Sequence, residues 1–179
     1  LLPYTTLFRS LHINLGPDHK ERKYVFNPFQ LVMNRGHYYL VGNHENYDDM
    51  STLRVDRIAH ITVLNERRKP LREIKGYQQQ RTFNVSQYVK EHIYMFGGES
   101  ITVTFKAKRS IVNQILDWFD GNVEFTNITA DNVVCRVRVN HDAFKYWALQ
   151  YMQSVKVLTP ASLVTEVKAA IEEGLHQYS

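Results

Sequence analysis

The sequence predicts an α+β protein of two units: a small β-barrel over residues 11–82 and a ferredoxin-like βαββαβ domain over residues 101–179. Four or five short strand-like segments crowd into about sixty residues between turn signals, which suits a small barrel. Beyond Glu99 the apolar spacing alternates between strand and helix periods in the order β-α-β-β-α-β, the split ferredoxin-like arrangement. Apolar residues make up 44% of the 179, enough to bury a core.

The first ten residues stand apart. Pro3-Tyr4-Thr5-Thr6-Leu7-Phe8-Arg9-Ser10 looks like a sequencing-library adaptor translated in frame, so residues 1–10 are read as a non-native leader and excluded from the fold. Tyr24 to Met33 alternates loosely around Asn27-Pro28, and after a turn at Asn34-Arg35, Gly36 opens the strand His37-Tyr38-Tyr39-Leu40-Val41-Gly42, which together read as a hairpin. Alternation puts His37, Tyr39 and Val41 on one strand face and Tyr38 and Leu40 on the other, with Tyr38 packing inward beside Leu40. The polar run Asn43 to Ser51 reads as a loop, followed by strands near Thr52–Val55 and Ala59–Leu64. A basic connector, Glu66-Arg67-Arg68-Lys69-Pro70, is read as solvated, and residues 83–100 as a linker with a short helix over Ser86–Ile93, broken at Phe96-Gly97-Gly98.

In the second unit Ile101 to Phe105 alternates as a strand. Ile111, Val112, Ile115, Leu116 and Phe119 mark one face of a helix that Gly121 ends. Val123–Ile128 and Val133–Val139 form a hairpin around Ala130-Asp131-Asn132, and a helix starting at His141-Asp142 buries Phe144, Trp147, Ala148 and Tyr151. A strand Val155–Leu158 and a last helix entered by Pro160 complete the unit.

Charge narrows the partners. Residues 11–82 hold 12 Lys and Arg against 8 Asp and Glu, whereas residues 83–179 hold 9 against 10, so the basic balance belongs to the first unit and favours an anionic partner there. No apolar run approaches the length of a membrane-spanning helix and no secretory leader opens the chain, so no membrane partner is expected and the protein is read as cytoplasmic. Cys135 is the single cysteine, which excludes an internal disulfide and a multi-cysteine zinc site; its strand setting predicts a buried, inert thiol.

His37-Tyr38-Tyr39-Leu40, with Leu53-Arg54-Val55-Asp56-Arg57-Ile58 a dozen residues on, resembles the signature of the WYL domain, whose Trp-Tyr-Leu tripeptide is here Tyr38-Tyr39-Leu40. Trp147-Ala148-Leu149-Gln150-Tyr151 and Val155-Lys156-Val157-Leu158-Thr159-Pro160 resemble the WCX extension that follows many WYL domains, with Met152 where that family usually has Gly. The resemblance implies an Sm-like (SH3-type) barrel that senses a ligand for a bacterial transcription regulator, and a WCX domain that contributes to a homodimer. It implies a single-stranded DNA or cyclic oligonucleotide effector, and operator DNA reached only through an N-terminal helix-turn-helix missing from this chain. The alternative is a stand-alone WYL module that modulates another nucleic-acid machine such as a CRISPR effector.

Tyr39 is the leading ligand contact, because an aromatic face can stack on a base. Arg54 and Arg57 flank Asp56, so their guanidinium forks either anchor a phosphate or pair internally with that carboxylate. Arg35 and His37 are lesser candidates. His37, His44, Asp48, Asp49 and His60 lack metal-ligand spacing, and Arg67-Arg68-Lys69 is a weaker nucleic-acid candidate. No nucleophile elbow, phosphate-cradling Gly loop or zinc-protease helix appears, so no enzyme, cofactor or metal is expected.

Overall fold

The computed structural model describes residues 7–12 and 22–179, which divide into two compact units between Ser86 and Gln87. In the first, strands β1 (Leu7–His12), β2 (Arg22–Asn34), β3 (His37–His44), β4 (Met50–Arg54) and β5 (Ile58–Leu64) form one antiparallel sheet in the order β4-β3-β2-β1-β5. Residues 7–10, assigned to the leader on sequence grounds, supply part of β1, with Phe8 paired to Phe26 on one side and Val63 on the other. Strand pairing uses backbone donors and acceptors, so these residues take part whatever their origin. The rest of that leader, residues 1–6, lies outside the described residues.

The β2–β3 hairpin turns one residue later than the sequence predicts. Arg35 and Gly36 are the two loop residues, both left-handed (φ 49° and 81°), the conformation whose twist matches the flanking strands. The turn sets the register Val32↔Tyr39 and Leu31↔Leu40, and a shift between Pro28 and Gln30 bulges the ladder at Phe29, beside a proline that has no N–H to donate. The bulge is why loose alternation around Asn27-Pro28 still belongs to one 13-residue strand.

Phe26, Val41 and Ile74 are fully buried, and Met50 nearly so. Asn27 and Asn43 are also buried. Asn27 Nδ2 lies 3.4 Å from Asn43 O and Oδ1, while Asn43 Nδ2 donates to Tyr47 O (2.7 Å) and Asp49 O (2.9 Å), fastening the 45–49 loop. The connector at 66–70 is not a solvated link: Lys69 N donates to Asn27 Oδ1 (2.8 Å), Arg68 Nη1 donates to Pro28 O (2.9 Å), and the Arg68 guanidinium lies 4.2 Å from the Phe29 ring centre. The Arg68 charge thus serves packing on β2, while Lys69 Nζ donates to Glu45 O at 3.0 Å and Glu66 and Arg67 stay exposed, a division that a count of basic residues does not reveal.

Helix α1 (Val85–Glu91) crosses into the second unit. There β6 (Ser100–Lys108), α2 (Val112–Phe119), β7 (Val123–Thr126), β8 (Asn132–Asn140), α3 (His141–Gln150), β9 (Val155–Thr159) and α4 (Ala161–His176) follow in order, with an antiparallel sheet β7-β8-β6-β9. Alternation along the middle of β6 and β8 makes Val103, Phe105, Cys135 and Val137 enter a core with Ile115 and Phe119 of α2, Phe144 and Trp147 of α3, and Leu163 of α4. Asn140 caps α3 by accepting from Ala143 N at 3.0 Å. Burial pushes the Cys135 thiol up to about 11, in keeping with an inert role. Tyr151 is half-buried at the end of α3, its ring 5.0 Å from that of Trp147, rather than inside the core.

Two buried histidines make stability depend on pH. In the first unit burial lowers the pKa of His44. In the second, burial lowers that of His92, whose Nδ1 donates to Phe96 O at 2.6 Å and whose ring stacks 3.8 Å from Tyr88. The folded chain therefore resists protonation at both, whereas the unfolded chain titrates near 6.5. Stability present above that value is lost as pH falls below it. Melting temperature should drop between about pH 7 and pH 5, and His92→Gln should flatten that slope; a parallel slope in the variant would refute the assignment.

Candidate functional site

Tyr39 sits in the middle of β3, half-buried, with Val32 of β2 opposite on one side and Arg54 of β4 opposite on the other. Directly paired residues in an antiparallel sheet project to the same face, so register alone brings the Tyr39 ring and the Arg54 guanidinium together. His37 shares that face two residues earlier, at the exposed end of β3.

After Arg54 the chain enters a single 3-10 turn, Val55–Arg57, which folds Asp56 back on it. Arg54 Nε donates to Asp56 Oδ1 at 2.8 Å and Nη2 to Oδ2 at 2.7 Å, a side-on bidentate pair. Those hydrogen bonds hold the Asp56 carboxyl down at about 2, with His37 adding a smaller pull, and raise the pKa of Arg54. Of the two readings of these arginines, internal pairing is what Arg54 does with one edge. Its Nη1 and the outer N–H of Nη2 form a second edge that the pair does not use, where a phosphate can be held. Arg57 is exposed one residue beyond Asp56. Arg35 occupies the hairpin turn, away from the Tyr39–Arg54 row along β3.

Tyr38 does not pack inward. It is 56% exposed at the hairpin end, beside Leu31 and Met33, also half-exposed or more, while Leu40 two residues on is buried. The hairpin outruns the core there, so strand alternation no longer separates inside from outside. His44, which the sequence places in a loop and which is weighed there only as a metal ligand, is instead a buried polar feature. It ends β3, is 7% exposed, and its ring lies 4.7 Å from Tyr24 and 4.9 Å from Tyr47. Nδ1 accepts from Asn46 N at 3.2 Å, which leaves Nε2 carrying the proton without a partner among the described residues. A lone His after Gly42-Asn43 gives no sequence signal for such a setting.

Among the described residues no three His, Cys, Asp or Glu are grouped to hold a metal, and no helix is long and apolar enough to cross a membrane. Comparison with family models matches residues 9–63 to the WYL domain and residues 98–175 to the WCX domain. The chain carries a WYL domain followed by a WCX domain. The WYL match covers the whole Tyr39–Arg54–Asp56 row, and the WCX match the whole β6–β9 sheet. No curated protein matches by sequence. Among solved structures, the chain is similar to a CRISPR Cas-related protein at 14% identity and a TM-score of 0.54, over 98% of this chain and 48% of that one. It also matches the proteasome accessory factor B/C (PafBC) of Arthrobacter aurescens at 18% identity and a TM-score of 0.42, over 98% of this chain and 25% of that one. The chain thus spans half or less of the length of both.

Proposed function

We propose that this chain is the effector-sensing and oligomerising part of a cytoplasmic bacterial transcription regulator. Its WYL domain binds single-stranded DNA or a cyclic oligonucleotide through Tyr39 stacking and arginine contacts to phosphate. The observation that carries this is the register of Tyr39 against Arg54, which sets a ring beside a guanidinium whose outer edge is free of Asp56. We read the first unit as an Sm-like barrel, supported by β1 pairing with both β2 and β5 and by the 3-10 turn between β4 and β5. We read the second as ferredoxin-like, supported by its strand order β7-β8-β6-β9 and its two crossover helices, and assign dimerisation to it. A second reading, a WYL module acting on a CRISPR-type machine, draws on the fold likeness to the CRISPR Cas-related protein.

Anisotropy of labelled oligonucleotides tests the binding. Arg54→Ala should weaken binding about tenfold and Arg54→Ala/Arg57→Ala further, with the slope of log affinity against log salt falling by about 0.7 for each phosphate that is no longer neutralised. Unchanged affinity across a panel of oligonucleotides and cyclic oligonucleotides would remove the pocket.

A further inference from the structure

The sheet of the WCX domain buries one face against its helices and leaves most of the other open, α1 and the segment after it covering only the Ser100–Asn140 end. On the open face stand Lys106 and Lys108 of β6, Arg136 and Arg138 of β8, and Lys156 of β9. Glu124 of β7 is the single acidic residue of these four strands. Residues 87–179 as a whole hold 9 Lys and Arg against 10 Asp and Glu, so five of the nine cations gather where two of the ten acids are found, Glu124 on β7 and Glu91 of α1 beside Arg138. A sheet face that needed only solubility would alternate sign across its strands. This one sets Lys106 directly opposite Lys156, a like-charge pair that weakens the sheet.

Both arginines are held in place and still accessible. Arg136 Nη1 lies 3.9 Å from Glu124 Oε2, and Arg138 Nε lies 3.3 Å from Glu91 Oε1, with side chains 60% and 53% exposed. Glu91 is itself buried and takes a hydrogen bond from Gln87 Nε2 at 2.8 Å, so it acts as a fixed anchor for Arg138. Thr102, Asn122, Glu124, Arg136, Val137 and Arg138 line a cavity of about 210 Å³ on this face. Guanidinium, ammonium, hydroxyl and amide donors are the groups that hold phosphate oxygens. No aromatic ring projects from these strands onto the open face, since Phe105 points into the core and Phe125 lies opposite inward-facing Cys135, so the face offers no aromatic platform for bases.

We propose that the open face of the WCX sheet is a second binding surface, which takes the phosphodiester backbone of single-stranded nucleic acid without reading its bases. The choice of a single strand rests on the function proposed for the WYL domain; the choice of a polyanion rests on the sheet alone. The like-charge pair is then a stability cost that bound phosphates relieve.

The test is anisotropy on the full chain with labelled thymidine and adenine oligomers of about 10 and 30 nucleotides, against a duplex and a poly-glutamate peptide of matched charge. Lys106→Glu/Arg136→Glu should lower affinity for the longer oligomers about tenfold or more, reduce the salt slope by at least about 1.4, and affect both base compositions equally. Lys106→Glu converts a like-charge pair into an ion pair with Lys156, whereas Arg136→Glu sets two carboxylates opposite each other at Glu124, so the single Lys106→Glu is the folding control: its melting temperature should stay level or rise while its affinity falls, which separates a binding defect from a folding defect. The neutral Lys106→Gln/Arg136→Gln should give a smaller loss in the same direction. Unchanged affinity and slope in the reversed variant would overturn the surface, as would tighter binding of poly-glutamate or of duplex. If Arg54→Ala/Arg57→Ala has no effect while the sheet variant does, the WYL pocket fails and this surface stands; the reverse result sinks only the surface.

Discussion

Trp147→Ala is expected to cost the WCX domain about 3–5 kcal/mol, the range for an aromatic side chain truncated inside a core. Trp147 is fully buried, and its ring packs against Phe105 (5.4 Å), Phe119 (4.9 Å) and Phe144 (5.5 Å), one from β6, one from α2 and one from its own helix. These neighbours are held by three different elements and cannot collapse together into the space left. The indole N–H has no partner among the described residues, so its removal relieves one orphaned donor and strands no acceptor. The loss is therefore one of packing, and Trp147→Phe, which keeps a ring in the site, should recover more than half of it. Urea unfolding measures both. Because dimerisation is assigned to this unit, sedimentation of Trp147→Ala should show a smaller dimer fraction as well. An unchanged melting temperature would refute the buried face.

The second unit is far more legible in the sequence than the first, for a physical reason. Its two central strands alternate over most of their length despite a register shift at Thr104/Phe105 against β9, its helices carry apolar residues at 3.6 spacing, and Asn140, Gly121 and Pro160 punctuate them, so local signals agree with the tertiary arrangement. In the first unit the Phe29 bulge, the protruding hairpin and the Arg68–Lys69 clamp on β2 all depend on contacts between residues far apart in the chain. The pairing of Tyr39 with Arg54 belongs to the same class. The residue types can be read from the sequence, but their juxtaposition is a product of hairpin register, and the side-on engagement of Arg54 by Asp56 depends on a 3-10 turn that propensity does not mark. The open basic face of the second sheet is hidden for another reason: the net charge of residues 83–179 is close to neutral, and only strand alternation separates its cations from its acids.

Gly42→Ala should be the most damaging small substitution in the WYL domain, costing about 3 kcal/mol or more, at the upper end of overpacking. A Cβ on Gly42 would lie 2.3 Å from Asn27 O and 2.5 Å from Phe26 Cε1. Neither neighbour can retreat. The Phe26 ring is fully buried, and Asn27 is tied to Asn43 through Nδ2 and to Lys69 N through Oδ1. The strain must therefore be taken up by separating β2 from β3 near the bulge, where the ladder is already irregular. That movement displaces Tyr39, three residues earlier on β3, from its register with Val32 and Arg54, so oligonucleotide affinity should fall together with stability. Gly36→Ala supplies the control. There φ is +81° and an added Cβ meets nothing within 4 Å, so the cost is backbone strain alone, about 1–2 kcal/mol, with the Tyr39 row left intact. Urea midpoints and oligonucleotide anisotropy on the two variants separate a steric cause from a conformational one. A Gly42→Ala chain as stable as Gly36→Ala would mean that β2 and β3 do not approach as closely as this packing requires.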